Sequence, residues 1–301
     1  MNCSINRSLS MFSFQKFMHG AKSNPFLPNL SKMLWLSALL CFLGGISSPL
    51  MAQDGKTHVQ WLGQSAFRIT SPAGKVIVTD PWLKGNPLTP EKFKQLEALG
   101  HVDVLLVTHG HWDHFGDAPE LARINDIPMY APGDLNQSAT LLNILPAKQL
   151  PRMNKGGTVS PVAGIKVTAV HAEHSSVLVW KDPQSGKEMP YPGGEPLGFI
   201  IELENGFKIY DMGDTGLFGD MKLIADLYKP DLVLMPIGGN FTLGPKEAAW
   251  AIKEWLRPKW MIPMHYGANP LAKGTPDELI KELGSTSTQV LVPKPGDELV
   301  F

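Results

Sequence analysis

From Val59 onward, short apolar runs alternate with polar breaks rich in Gly and Pro, at the spacing of strands and short helices. Val59 to Ile69 alternates apolar and polar positions and predicts one strand. Ser71-Pro72-Ala73-Gly74 is turn chemistry, and Lys75 to Thr79 predicts a second strand ending at Asp80-Pro81. Val102 to Thr108 is apolar and β-branched, as in a strand buried on both faces. Asp117 to Asn125 predicts a helix with Asp117 as N-cap, and Pro128 to Ala131 a further strand. In the second half, Gly164 to His171 is β-rich. Leu197 to Glu202 and Phe207 to Tyr210 flank Glu204-Asn205-Gly206, and Asn-Gly between apolar runs predicts a hairpin. Met221 to Leu227, Pro245 to Leu256 and Thr275 to Leu283 predict helices, and Leu232 to Pro236, Trp260 to Met264 and Gln289 to Val292 predict strands. Strands with helices between and after them, in both halves, indicate an α/β chain of two packed sheets with helices outside. Residues 53–301 contain no linker that would divide them and no internal repeat.

The first 52 residues break this pattern. They hold Arg7, Lys16, Lys22 and Lys32 and no acidic residue, and Met33 to Leu43 is nearly all apolar. Gly44-Gly45 and the exit Leu50-Met51-Ala52 follow. A basic region, a short apolar core and a small-residue exit predict a secretory signal cleaved after Ala52, and hence a periplasmic or secreted protein. The apolar core is short of the roughly 20 residues of a membrane span; an uncleaved anchor is the alternative. Met18 and Met33 are alternative starts.

Removing this segment takes the basic side chains from 27 to 23 and leaves 28 acidic ones, a net charge of −5 with neutral histidines. No basic stripe of a nucleic-acid binder is present, so a small-molecule substrate is expected, not nucleic acid. No amphipathic anchor remains to hold the mature chain in a membrane, and the oligomeric state is not encoded in any pattern. Both cysteines, Cys3 and Cys41, fall in the presequence. The mature chain therefore has no disulfide and no thiolate, and any metal must be held by His and carboxylates.

Eight histidines remain, three of them in Thr108-His109-Gly110-His111-Trp112-Asp113-His114. The run follows a buried strand, so it is a loop on a rigid support, where sites usually form. Imidazole and carboxylate suit zinc, manganese and iron. Adjacent side chains cannot all face one ion, so two neighbouring ions and further donors are expected. His174, Asp214 and His265, each just beyond a predicted strand, are the candidates. His58 and His101 read as surface residues.

The order Thr-His-x-His-x-Asp-His, then His174-Ser175-Ser176, Gly213-Asp214-Thr215 and His265 resembles the metallo-β-lactamase superfamily. Leu217 to Ile224, Met235 to Pro245 and Ile262 to Tyr266 resemble one branch of it, the bacterial metal-dependent hydrolases related to ascorbate-6-phosphate lactonase and to N-acyl-phosphatidylethanolamine phospholipase D. The resemblance spans His58 to Phe301 and implies a four-layer αβ/βα sandwich. It implies that His109, His111 and His174 hold one divalent ion and Asp113, His114 and His265 a second, with Asp214 bridging. Zinc is the first expectation, manganese and iron the others. His171 is left outside this set, and Asp80 is expected to orient a ligand or the loop. Two such ions share a water and lower its pKa from 15.7 towards about 7, so the expected reaction is attack of a bridging hydroxide on an ester, lactone or phosphoester. Asp113 is the expected catalytic residue, orienting that hydroxide or relaying a proton. Phosphodiesterase action and a non-catalytic metal-binding role are the alternatives. Gln64, where relatives often have His, and Gly239, where many have Asp, are expected to line the pocket, and Gly193-Gly194 and Gly238-Gly239 to form flexible walls or plain turns.

Overall fold

The apolar runs form two seven-stranded sheets. The first orders its strands Glu298–Val300, His58–Gly63, Ala66–Thr70, Val76–Thr79, Val104–Leu106, Met129–Pro132 and Arg152–Met153. The second orders Gln289–Val290, Trp260–Met264, Leu232–Pro236, Lys208–Asp211, Leu197–Glu202, Lys166–His171 and Thr158–Val159. These positions come from a computed structural model that describes residues 55–301; the expected presequence, residues 1–52, lies outside them. Among the described residues, no helix is long and apolar enough to cross a membrane.

Three apolar clusters define the layers. Trp61, Phe67, Ile69, Ile77 and Leu106 of the first sheet meet Val167, Phe199, Ile209, Leu234 and Ile262 of the second in the central cluster. The outer face of the first sheet packs Val78, Leu105 and Met129 against Leu121 and Ala122 of the helix Ala118–Asn125 and Leu135 and Ala139 of the helix Gly133–Leu141. The outer face of the second packs Tyr210, Val233, Met235 and Met261 against the helices Asp220–Tyr228, Pro245–Ala251 and Pro276–Leu283. Helix, sheet, sheet, helix is the four-layer sandwich, and the central strands Val76–Thr79, Val104–Leu106 and Leu232–Pro236 are buried throughout, as their near-continuous apolar runs require.

Strand direction decides where the loops go. Lys208–Asp211, Leu232–Pro236 and Trp260–Met264 are mutually parallel. Lys166–His171 is antiparallel to Leu197–Glu202, which is antiparallel to Lys208–Asp211, so two reversals return it to the common direction. Val76–Thr79 and Val104–Leu106 are likewise parallel in the first sheet. Asp80, His109, His174, Asp214 and His265 all follow C-terminal ends of these strands.

The structure departs from the pattern-based expectation in several places. Val59 to Ile69 is not one strand but a hairpin, His58–Gly63 paired with Ala66–Thr70. Gly63 and Gln64 both have positive φ, +104° and +52°, which no continuous strand allows. The alternation runs on across the turn because both arms face the same core, so periodicity alone could not locate the break. Asp117 precedes its helix but does not cap it: its Oδ2 accepts from the N–H groups of Leu83 and Lys84, at 2.7 and 2.9 Å, tying the loop after Asp80 to the helix start. The helix expected over Pro245 to Leu256 is α-helical to Ala251 and continues as a wider π turn, Ile252–Leu256. The hairpin Val177–Lys181 with Glu188–Pro192 is largely exposed, so it lacks the apolar signature of a core strand.

Candidate metal centre

The loop after Val104–Leu106 is held by a buried carboxylate. Asp80, fully buried, accepts from Thr108 N–H at 2.8 Å through Oδ1 and from the Thr108 hydroxyl at 2.7 Å through Oδ2. Its Oδ2 also lies 2.7 Å from His114 Nδ1. Having donated to Asp80, the Thr108 hydroxyl can accept from His109 Nδ1, 3.0 Å away. Both rings are thereby fixed as Nδ1–H tautomers with Nε2 turned inward, the usual way a buried acceptor presets an imidazole for a metal.

The loops from the second sheet are tied in turn. Glu173 N–H donates to Thr215 Oγ1 at 3.0 Å and Gly216 N–H donates to Glu173 O at 2.8 Å, joining the His174 and Asp214 loops. Ser176 Oγ accepts from Gly110 N–H at 3.1 Å and donates to Gly193 O at 2.8 Å, joining the His174 loop to the histidine-rich one. Gly193 and Gly238 sit where no side chain fits: a Cβ on Gly193 would strike Ser176 Oγ, and one on Gly238 the carbonyl of His265.

All seven expected side chains meet. Asp214 Oδ2 lies 2.9 Å from His265 Nε2, 3.3 Å from His114 Nε2 and 3.6 Å from His174 Nε2. His109 Nε2 lies 2.9 Å from His111 Nδ1, and Asp113 Oδ2 3.5 Å from His265 Nε2. Three sets of donor atoms, each mutually within 4.8 Å, can hold an ion: His109, His111 and His174; Asp113, His114 and His265; and His109, His114 and Asp214. The last set takes one member from each of the others, so Asp214 stands between two triads. His171 is not among these donors; its ring packs edge-on against Phe218 and pairs with Glu173. Gln64 is buried beneath the second triad, with its amide nitrogen 3.0 Å from Asp113 Oδ2. Its only sequence signal was a departure from relatives.

The chemistry of the set fits divalent metal. Asp214 Oδ1 is buried without a hydrogen-bond partner, and His114 Nε2 and His265 Nε2 are buried facing carboxylate oxygens in poor hydrogen-bond geometry, a costly state unless a cation satisfies them. Burial pulls the His109, His111 and His174 pKa values down, which keeps those rings neutral and able to donate a lone pair. Burial also acts against a charged His114, but Asp214, Asp80 and Asp113 outweigh it and hold that ring well above its usual value. His265 is lifted to about 9, with burial opposed chiefly by Asp214. Burial opposes ionisation of Asp113 and Asp214 too, yet the histidines, His114 first, bring Asp113 to about 2 and Asp214 well below its usual range. Carboxylates and histidines thus hold protons and charge that an arriving cation would displace.

A family model described as a beta-lactamase superfamily domain matches residues 58–265, and the chain belongs to that superfamily. It is 68% identical over 247 residues to a UPF0173 metal-dependent hydrolase of Polaromonas sp., covering 82% of this chain and 90% of that one. A relative of the same description from Rubrobacter xylanophilus is 43% identical, covering 81% of this chain and 97% of its own. Among solved structures, the metallo hydrolase Igni18 from Ignicoccus hospitalis superposes with a TM-score of 0.69 at 30% identity, covering 82% of this chain and 98% of that chain. The protein is a metal-dependent hydrolase with the metallo-β-lactamase fold.

Proposed function

We propose that the protein hydrolyses an ester, lactone or phosphoester of a small molecule at a centre of two divalent ions, zinc foremost. One observation carries the reading: Asp214 lies within donor distance of His109 and His174 of one triad and of His114 and His265 of the other, the arrangement a bridging carboxylate needs. When bound, such a pair polarises the scissile oxygen and brings the pKa of water towards about 7, so no serine or cysteine nucleophile is required. His109, His111 and His174 hold one ion, and Asp113, His114 and His265 the other. Asp113, with its pKa near 2, keeps no proton at neutral pH, so its part is to orient, as an acceptor, the water that attacks. Asp80 and Thr108 keep two of the rings in their donating tautomers. The hydrolysis is proposed to occur in the periplasm or outside the cell, on the strength of the basic, apolar and small-residue order of residues 1–52. Sequencing the N-terminus of the mature protein checks that placement.

Asp214→Ala is expected to lose both ions by elemental analysis, and His265→Ala to lose one. Both should lose turnover on a panel of esters, lactones and phosphodiesters. Variants that kept two ions would overturn the ligand assignment. A wild type with two ions and no turnover on the panel would favour a metal-binding role without catalysis.

A further inference from the structure

The turn after the first strand brings into the metal centre one side chain that is not itself a metal donor. Gln64 is 2% exposed and stands in the left-handed region, between the paired residues Gly63 and Ala66. Its side-chain nitrogen lies 3.0 Å from Asp113 Oδ2. An ionised carboxylate only accepts, so the group facing it must be the amide NH₂, which settles the amide's orientation. The carbonyl of the same residue accepts from His265 N–H at 3.1 Å and from the Trp61 indole at 2.9 Å. Asp113 and His265, far apart in the chain, are therefore held by one residue, through its side chain and its main chain. They approach each other to 3.5 Å and, with His114, form one of the three donor sets. Among the described residues, Gln64 makes no hydrogen bond to His109, His111 or His174.

We infer that Gln64 is the positioning residue of the second triad and determines whether the second ion is retained. The inference rests on the two-ion reading above. An uncharged donor suits this place. It orients Asp113 without cancelling the negative charge that attracts a cation, which a lysine or a protonated histidine would do.

Two variants test it. Gln64→Asn tolerates the left-handed backbone and keeps an amide, but is one methylene too short to reach Asp113. Gln64→Met keeps the length and removes the donor. Metal-stripped wild type and variants are titrated with Zn²⁺ by calorimetry, and bound zinc is counted by elemental analysis after buffer exchange. The wild type is expected to take two ions. The variants should take the first with unchanged affinity and the second about 10- to 100-fold more weakly, the usual effect of losing a group that orients a ligand. The melting temperature of the metal-free variants should stay close to that of the wild type; if the Asn variant does not fold, the Met variant decides. Two ions of wild-type affinity in the variants overturn the inference alone, and so does an equal weakening of both ions, which would mark a general structural role. A wild type that takes one ion overturns the two-ion reading and this inference together.

Discussion

His109, His114, Asp113 and His265 are each held by a neighbour that is not a donor. Asp80 shows this best: the sequence marks it as a strand-end residue before Pro81, and the structure makes it the acceptor for Thr108 and His114 at once. The charge balance it helps set has a pH consequence. His265 is lifted to about 9 from 6.5, and His114 is raised in the same sense. A raised folded-state pKa contributes stability that is complete below the unfolded value and is lost as pH rises through the folded one. The metal-free protein should therefore melt at lower temperature at pH 9 than at pH 6.5. Bound ions replace those protons, so the gap in Tm between metal-loaded and metal-free protein should widen over that interval. A flat or rising Tm for the metal-free protein, measured by calorimetry, would contradict the charge assignment.

At the scale of elements, ordinary capping and close packing can be told apart. Thr275 and Glu278 form a reciprocal capping box at the helix Pro276–Leu283. Thr275→Ala should lower stability by about 1 kcal/mol, read from denaturant unfolding, and leave metal content unchanged. Gly238→Ala should do more. Its Cβ would meet the carbonyl of His265, so the expected loss is roughly 1–3 kcal/mol together with weaker retention of the ion held by His265. Metal affinity equal to wild type in Gly238→Ala would show that the His265 loop yields without moving its ring. The hairpin at Gly63-Gln64 belongs to this scale too. Its turn is not an Asn-Gly signal, so the pattern runs one strand through it, and Gln64 reads from sequence as a pocket-lining residue and not as the one that grips Asp113.

For the whole molecule, the three apolar clusters are complete without any ion, because their contacts are aliphatic and aromatic throughout. Chelation should therefore abolish hydrolysis and lower Tm while preserving the secondary structure seen by far-UV circular dichroism. Collapse to an unfolded chain on chelation would mean that the metals, not the sandwich, organise the strand ends. The net charge of −5 on residues 53–301 and the centre's own carboxylates favour cation uptake and oppose anionic polymers, consistent with a small-molecule substrate.

The amino-acid sequence by itself determined the donor types, since residues 53–301 contain no cysteine, and placed four of the donors in one short stretch after a buried strand, where the structure puts Asp113 and His114 on the helical turn Trp112–Phe115. It also determined most strands and helices, because burial on one or both faces writes a local period into the chain. The motif order implied the rest of the donor set by resemblance. Only the tertiary structure decided that the loops carrying His174, Asp214 and His265 meet the first. That depends on parallel pairing of distant strands, which lines up their C-terminal ends. It also decided that Asp80 and Gln64 grip particular donors. Those contacts join residues whose separation along the chain carries no periodic signal, and they exist only once two sheets have closed around them.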